Sequence, residues 1–117
     1  MKGILIDPFT RTIRNVLLTN NWRDINKHLE CNTFTIVHYD EWNDIFIDDE
    51  GLYVDNQAFF GFEGNDDLVL AGKALALGHD GEGETSDTNL NISELTENII
   101  WLEPIDRPDI KFEITGF

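Results

Sequence analysis

Residues 33–39 read TFTIVHY, and residues 44–55 read DIFIDDEGLYVD. In the first stretch Phe34, Ile36 and His38 alternate with Thr33, Thr35, Val37 and Tyr39, the period of two that sends successive side chains to opposite faces of a β-strand. In the second, Ile45 and Ile47 share one face and Phe46 takes the other, while Asp48, Asp49 and Glu50 run into Gly51. Strand, polar turn and Gly, then Leu52-Tyr53-Val54, predict a hairpin with an acidic tip at 48–51 and with Asp44 and Asp55 at its feet.

Working outward, KGILI (2–6) and TIRNVLL (12–18) flank Asp7-Pro8-Phe9-Thr10. Proline presets a turn there, so the pair predicts another hairpin. AFFGF (58–62), KALAL (73–77) and IKFEIT (110–115) complete the strand set, the last with Ile110, Phe112 and Ile114 directed inward. Two segments carry helical spacing instead. Trp22, Ile25 and Leu29 follow Asn21, an N-cap residue, with Asp24 at the third-position partner site. Ile92, Leu95, Ile99 and Leu102 follow Asn91, with Glu94 in the equivalent place and Pro104 as the stop. Each helix is amphipathic and can cover a sheet face. Strands outnumber helices without regular alternation, which predicts a single-domain α+β fold with a mainly antiparallel sheet and two amphipathic helices.

A chain of 117 residues suits one core. Its lone Cys31 has no partner for a disulfide, and is expected to serve as a small apolar core residue in a reducing compartment. Between Lys2 and Asp7 stand only four apolar or small residues, too few for a signal-peptide core, so a cytoplasmic setting is expected, with no membrane partner. GHDGEGETSDTN (78–89) predicts an exposed, flexible Gly-rich loop.

Charge is the anomaly. Against 8 Lys and Arg stand 23 Asp and Glu, a net charge of −15. Residues 1–31 hold five bases and three acids, +2, and the rest of the chain is therefore −17. Eleven acids lie between His28 and Gly72 with no Lys or Arg among them, so sequence neighbours cannot neutralise them. Like charges at that density oppose folding, and three gains could offset the cost: solubility, cation binding, or a negative surface shown to a basic partner.

No catalytic motif is present: the chain has no nucleophile elbow, P-loop or dinucleotide fingerprint, and adjacent carboxylates on extended chain point apart, so no enzyme activity is expected. Asp80, Glu82, Glu84 and Asp87 fall at positions 1, 3, 5 and 8 of a calcium loop, yet Thr85 and Asn91 stand where Gly and Glu are needed. His28, His38 and His79 form no ligand motif, so no metal site or cofactor is expected. Direct nucleic-acid binding is disfavoured by the shortage of bases. A mimic of nucleic acid is different: a domain of this length is roughly 35 Å across, and duplex DNA of that length carries on the order of 20 charges.

The opening MKGILIDPFTRTI, the CNTF step at 31–34, the DIFIDDEGL stretch, and LAGKALALG followed by GET together resemble a family of uncharacterised small proteins encoded by phages, plasmids and conjugative elements. The resemblance runs from Met1 to about Leu102. It implies an accessory protein of a mobile element that binds and blocks host machinery, and it brings no assigned catalytic residues to positions here.

Two functional classes follow. The first is a binding protein for a basic host partner, for instance a DNA-mimicking inhibitor of a defence protein, with Asp44, Asp48, Asp49, Glu50, Asp55, Asp66 and Asp67 as its surface. The second is a small-ligand or cation-binding domain, with homo-oligomer formation open to it, built on Trp42, Tyr53, Phe59, Phe60 and the 78–87 loop. The plain alternative is acidity that serves solubility alone.

Overall fold

Alternating side chains along three strands sort the protein into layers. Ile4 and Ile6, Ile45, and Ala74 and Ala76 point to one face of a sheet, while Leu5, Phe46, and Leu75 and Leu77 point to the other; all of them are buried. Both faces must therefore be covered. A computed structural model describes residues 1–102, apart from the Asp66 side chain, and shows what covers them.

The strands are β1 (Lys2–Asp7), β2 (Thr12–Leu17), β3 (Phe34–His38), β4 (Asn43–Asp48), β5 (Phe59–Phe62), β6 (Asn65–Ala71), β7 (Ala74–His79), β8 (Thr85–Ser86) and β9 (Ile99–Trp101). The helices are α1 (Trp22–Leu29) and α2 (Ile92–Asn98). Strands β2-β1-β7-β4-β3 form one sheet, with β8 added to β7; β6-β5-β9 form a second. The pairings are antiparallel. The fold is α+β and mainly antiparallel, as the sequence predicts, but built as two sheets.

Helix α1 sets Ile25 and Leu29 against Leu5, Phe46, Leu75 and Leu77. Each such side chain contributes about 1.5–3 kcal/mol on full burial, and an eight-residue helix depends on that contact to persist. On the opposite face the second sheet supplies Phe60, Phe62 and Leu70, and α2 supplies Leu95. The small Ala74 and Ala76 face this second sheet and let it approach. Beyond it, Phe59 and Ala71 pack with Leu52, Val69 and Leu102.

Local signals explain the element ends. In the β1–β2 turn Asp7 Oδ1 accepts from the Phe9 and Thr10 amides. Asn21 caps α1 through the Arg23 amide, and Asn91 caps α2 through Ser93 and Glu94. Asp24 is occupied differently from the predicted capping partner: its Oδ2 accepts from the Thr19 amide at 2.8 Å, which holds its carboxyl below the usual range.

Several expectations are corrected. Residues 52–55 are no strand: after Asp48 the chain turns into a short 3-10 segment, Gly51–Tyr53. Both edges of β4 are already taken, by β3 and β7, so no ladder is open to them. The hairpin in this region is β3–β4, turning at 39–42, which places Asp44 and Asp55 on no common hairpin. The second helix stops at Asn98, and Ile99-Ile100-Trp101 pair with β5 instead, where two β-branched residues and an aromatic fit a half-buried ladder. The 78–87 segment is a paired hairpin, β7 with β8, closed by Asp80 Oδ1 accepting from the Glu82 and Glu84 amides. Strand β6 was not expected at all; Gly64, at φ +78°, turns β5 into it. The predicted strand at 110–115 lies outside the described residues.

Candidate functional site

An acidic turn and the apolar part of a strand that lies further along the sequence meet along one groove. Its walls are β3 with β4 on one side and β6 on the other, β3 and β6 being outer strands of their respective sheets. Thr35, Ile36, Val37 and Ile47 face Leu68, Val69, Leu70 and Ala71 across about 490 Å³. Asp48 and Asp49 line it beside Gly51, and a Cβ on Gly51 would stand 3.0 Å from the Ala71 carbonyl oxygen. That contact fixes the Ala71 end of β6 at the acidic turn. Leu68 then lies about 10 Å away along the strand, and exposed Asp67, next to it in the chain, does not line the groove. The groove is largely apolar and acidic at the Asp48–Asp49 end.

The other acids predicted as one surface are divided. Glu50 is exposed beside the turn and lines a neighbouring hollow with Tyr53 and Cys31. Asp55 is exposed beyond the 3-10 segment. Asp66 belongs to β6 by its backbone. Asp48 is half-buried, and its Oδ1 accepts from the Glu50 amide, so this carboxylate shapes the turn as well as facing the groove. Cys31 is half-buried against the α1 face of the core, and burial first, then the charge of Asp48, push its thiol up to about 11. A thiol so placed is a poor nucleophile at neutral pH.

Asp44 leaves the acidic surface altogether. His38 Nδ1 lies 3.0 Å from its Oδ1 and His79 Nδ1 lies 2.9 Å from its Oδ2, so one carboxylate is held between two imidazoles. The two rings stack with centroids 5.9 Å apart, and Trp42 stands 6.0 Å from His79. The Asp44 hydrogen bond is the main cause that raises the His79 pKa above its ordinary value; partial burial opposes it, and the Asp44 charge and the Glu41 carbonyl add to it. Sequence spacing could not reveal this group, because His79 arrives on β7, which pairs with β4 only in the tertiary fold.

Beneath it sits Asn43, fully buried. Its Nδ2 donates to both Asp40 oxygens and to Asn89 Oδ1, and its Oδ1 accepts from the Thr88 hydroxyl at 2.6 Å. The β3–β4 turn is thereby tied to residues 88–89. The four aromatics expected to share a ligand pocket do not converge: Phe59 and Phe60 are buried in different core clusters, Tyr53 is 84% exposed and Trp42 stands beside His79.

Fold and groove together define a small two-sheet α+β domain with an acidic-ended cleft between its sheet edges. The chain belongs to the family described as "Domain of unknown function (DUF3846)", whose model matches residues 1–100. No curated protein and no solved structure matches the chain. Among the described residues no helix is long and apolar enough to cross a membrane.

Proposed function

We propose that this chain is a non-enzymatic binding module that takes a basic segment of a partner protein into the groove between β3 and β6. The observation that carries the reading is that Asp48 and Asp49 line one end of a single, otherwise largely apolar cleft. An apolar segment flanked by Lys or Arg matches such a cleft in both charge and polarity. The resemblance to accessory proteins of phages and conjugative elements supports a host protein as that partner, bound in the cytoplasm, and nucleic-acid-binding or defence proteins are natural bearers of basic segments.

Charge mimicry of DNA is the broader form of this reading. The protein measures 38 × 29 × 26 Å and carries −15, so any basic groove of duplex width meets a strongly negative body. The apolar cleft favours the more specific form.

The test is the triple variant Asp48→Asn, Asp49→Asn, Glu50→Gln. Asn at 48 keeps an oxygen for the Glu50 amide, so thermal stability should stay unchanged or rise slightly as repulsion is relieved. Binding to a lysine-rich partner should weaken by about tenfold, mainly through slower association, and more so at low salt than at high. Unfolding of the variant would make the turn acids structural, and wild-type binding at low salt would remove them from the interface.

A further inference from the structure

The two outer strands of the six-stranded sheet are built differently, and the difference points to how a partner docks. Strand β3 reads FTIVH: it has no Lys, Arg or Pro, and its register against β4 runs unbroken from Phe34 opposite Asp48 to His38 opposite Asp44. Natural proteins commonly defend an edge strand with a charge, a proline or a bulge. β3 has none of these, Ile36 on it is 52% exposed, and among the described residues no strand pairs with its outer side.

We infer that the partner segment adds to the outer edge of β3 as an extended strand, with alternate side chains entering the groove toward Val37, Leu68 and Val69. This rests on the reading of the groove as a basic-segment site and specifies its mode. Five residues of strand, the length of β3, cover about 17 Å. Backbone hydrogen bonds along β3 would supply sequence-tolerant affinity; the apolar wall selects every second residue, and Asp48 and Asp49 select a flanking charge. Charge complementarity fixes the occupant as a basic segment. A second copy of the chain would bring another −15 to the same edge.

Three blocked nonapeptides test this on the full chain: KKVTVTVKK; KKVTPTVKK, which keeps all four lysines but cannot lie in a regular ladder; and EEVTVTVEE. Affinity is read by calorimetry, and amide exchange by NMR at Phe34, Ile36 and His38, whose amides point away from β4, with β2 amides as the internal control. The expected result is that the first peptide binds at least tenfold more tightly than the second, binds the more weakly as salt rises, and slows exchange on β3 alone. Equal affinity for the two lysine peptides, with β3 exchange unmoved, overturns strand addition and leaves the basic-segment reading standing. Binding of the glutamate peptide as tightly as KKVTVTVKK, or no binding by either lysine peptide, overturns both. Slow exchange at the outward-facing amides of Phe34, Ile36 and His38 in the free chain means that the edge is already covered, by the chain itself when concentration has no effect and by a second copy when protection grows with it; either result overturns a partner at this edge.

Discussion

The β2 edge and the β3 edge belong to one sheet and one chain, yet they meet water on different terms. β2 carries Arg14 at mid-strand, is joined to β1 by a local turn that Asp7 closes with its own carboxylate, and touches α2. β3 carries no Lys or Arg, is joined to β4 by a turn anchored through Asn43 to residues 88 and 89, and borders an apolar groove. One edge is defended and self-contained; the other is open and held from a distance. An edge maintained at such cost in buried polar groups, and left undefended, is the natural place to look for binding.

The largest effect that would sharpen this contrast is expected from Asn43→Ala. It removes the acceptor of the Thr88 hydroxyl and donors to Asp40 and Asn89. Each buried group left without a partner costs about 1–3 kcal/mol, so the total should be on the order of 3 kcal/mol by denaturant unfolding. Hydrogen exchange should speed up at β3 and the 39–42 turn well before β2. A loss under about 1 kcal/mol, or equal loosening of both edges, would break the comparison.

Next comes pH. The folded state holds His79 protonated on Asp44 more readily than the unfolded chain does, with a pKa raised above 6.5. Its contribution is therefore fully present below about pH 6.5 and is lost as pH rises through the raised value. An NMR titration should place the His79 midpoint above 6.5, and stability should decline across that window. His79→Gln should remove this decline, while the β2 hairpin, which has no histidine, should show no such dependence.

The smallest stability effects belong to the edges themselves. Arg14 and Ile36 are both exposed, so Arg14→Ile and Ile36→Lys should each shift stability by no more than about 0.5 kcal/mol. Their consequences should appear in association. Arg14→Ile exposes an undefended β2 and should produce concentration-dependent self-association by sedimentation velocity, whereas Ile36→Lys should remain a monomer. A monomeric Arg14→Ile would show that Arg14 is not what protects that edge.

Much of the fold was legible because its signals are local. The β1–β2 hairpin follows from Pro8 and from Asp7 bonding to amides two and three residues on; both helix starts follow from Asn21 and Asn91 acting within one turn. The failures share a cause. Ile99 continues the helical spacing of Ile92 and Leu95, and only the free side of β5 made it a strand. Leu52-Tyr53-Val54 has strand composition, and only the occupancy of both β4 edges excluded it. β6 was marked by Gly64 and Leu68-Val69-Leu70, but the acids before Leu68 obscured it.

The candidate site divides along the same line. Composition alone determined that the chain is strongly acidic, that the acids cluster after residue 31, and that turns would expose many of them. Only tertiary structure decided which acids border the groove and which do not. Strand order set β3 and β6 on either side of one groove that Asp48 and Asp49 line, and β7 carried His79 to Asp44 and took that carboxylate off the surface. The physical reason is that a helix cap or a tight turn is decided by groups a few residues apart, whereas sheet pairing is a competition among all strands for a few free edges, and its outcome depends on the whole chain.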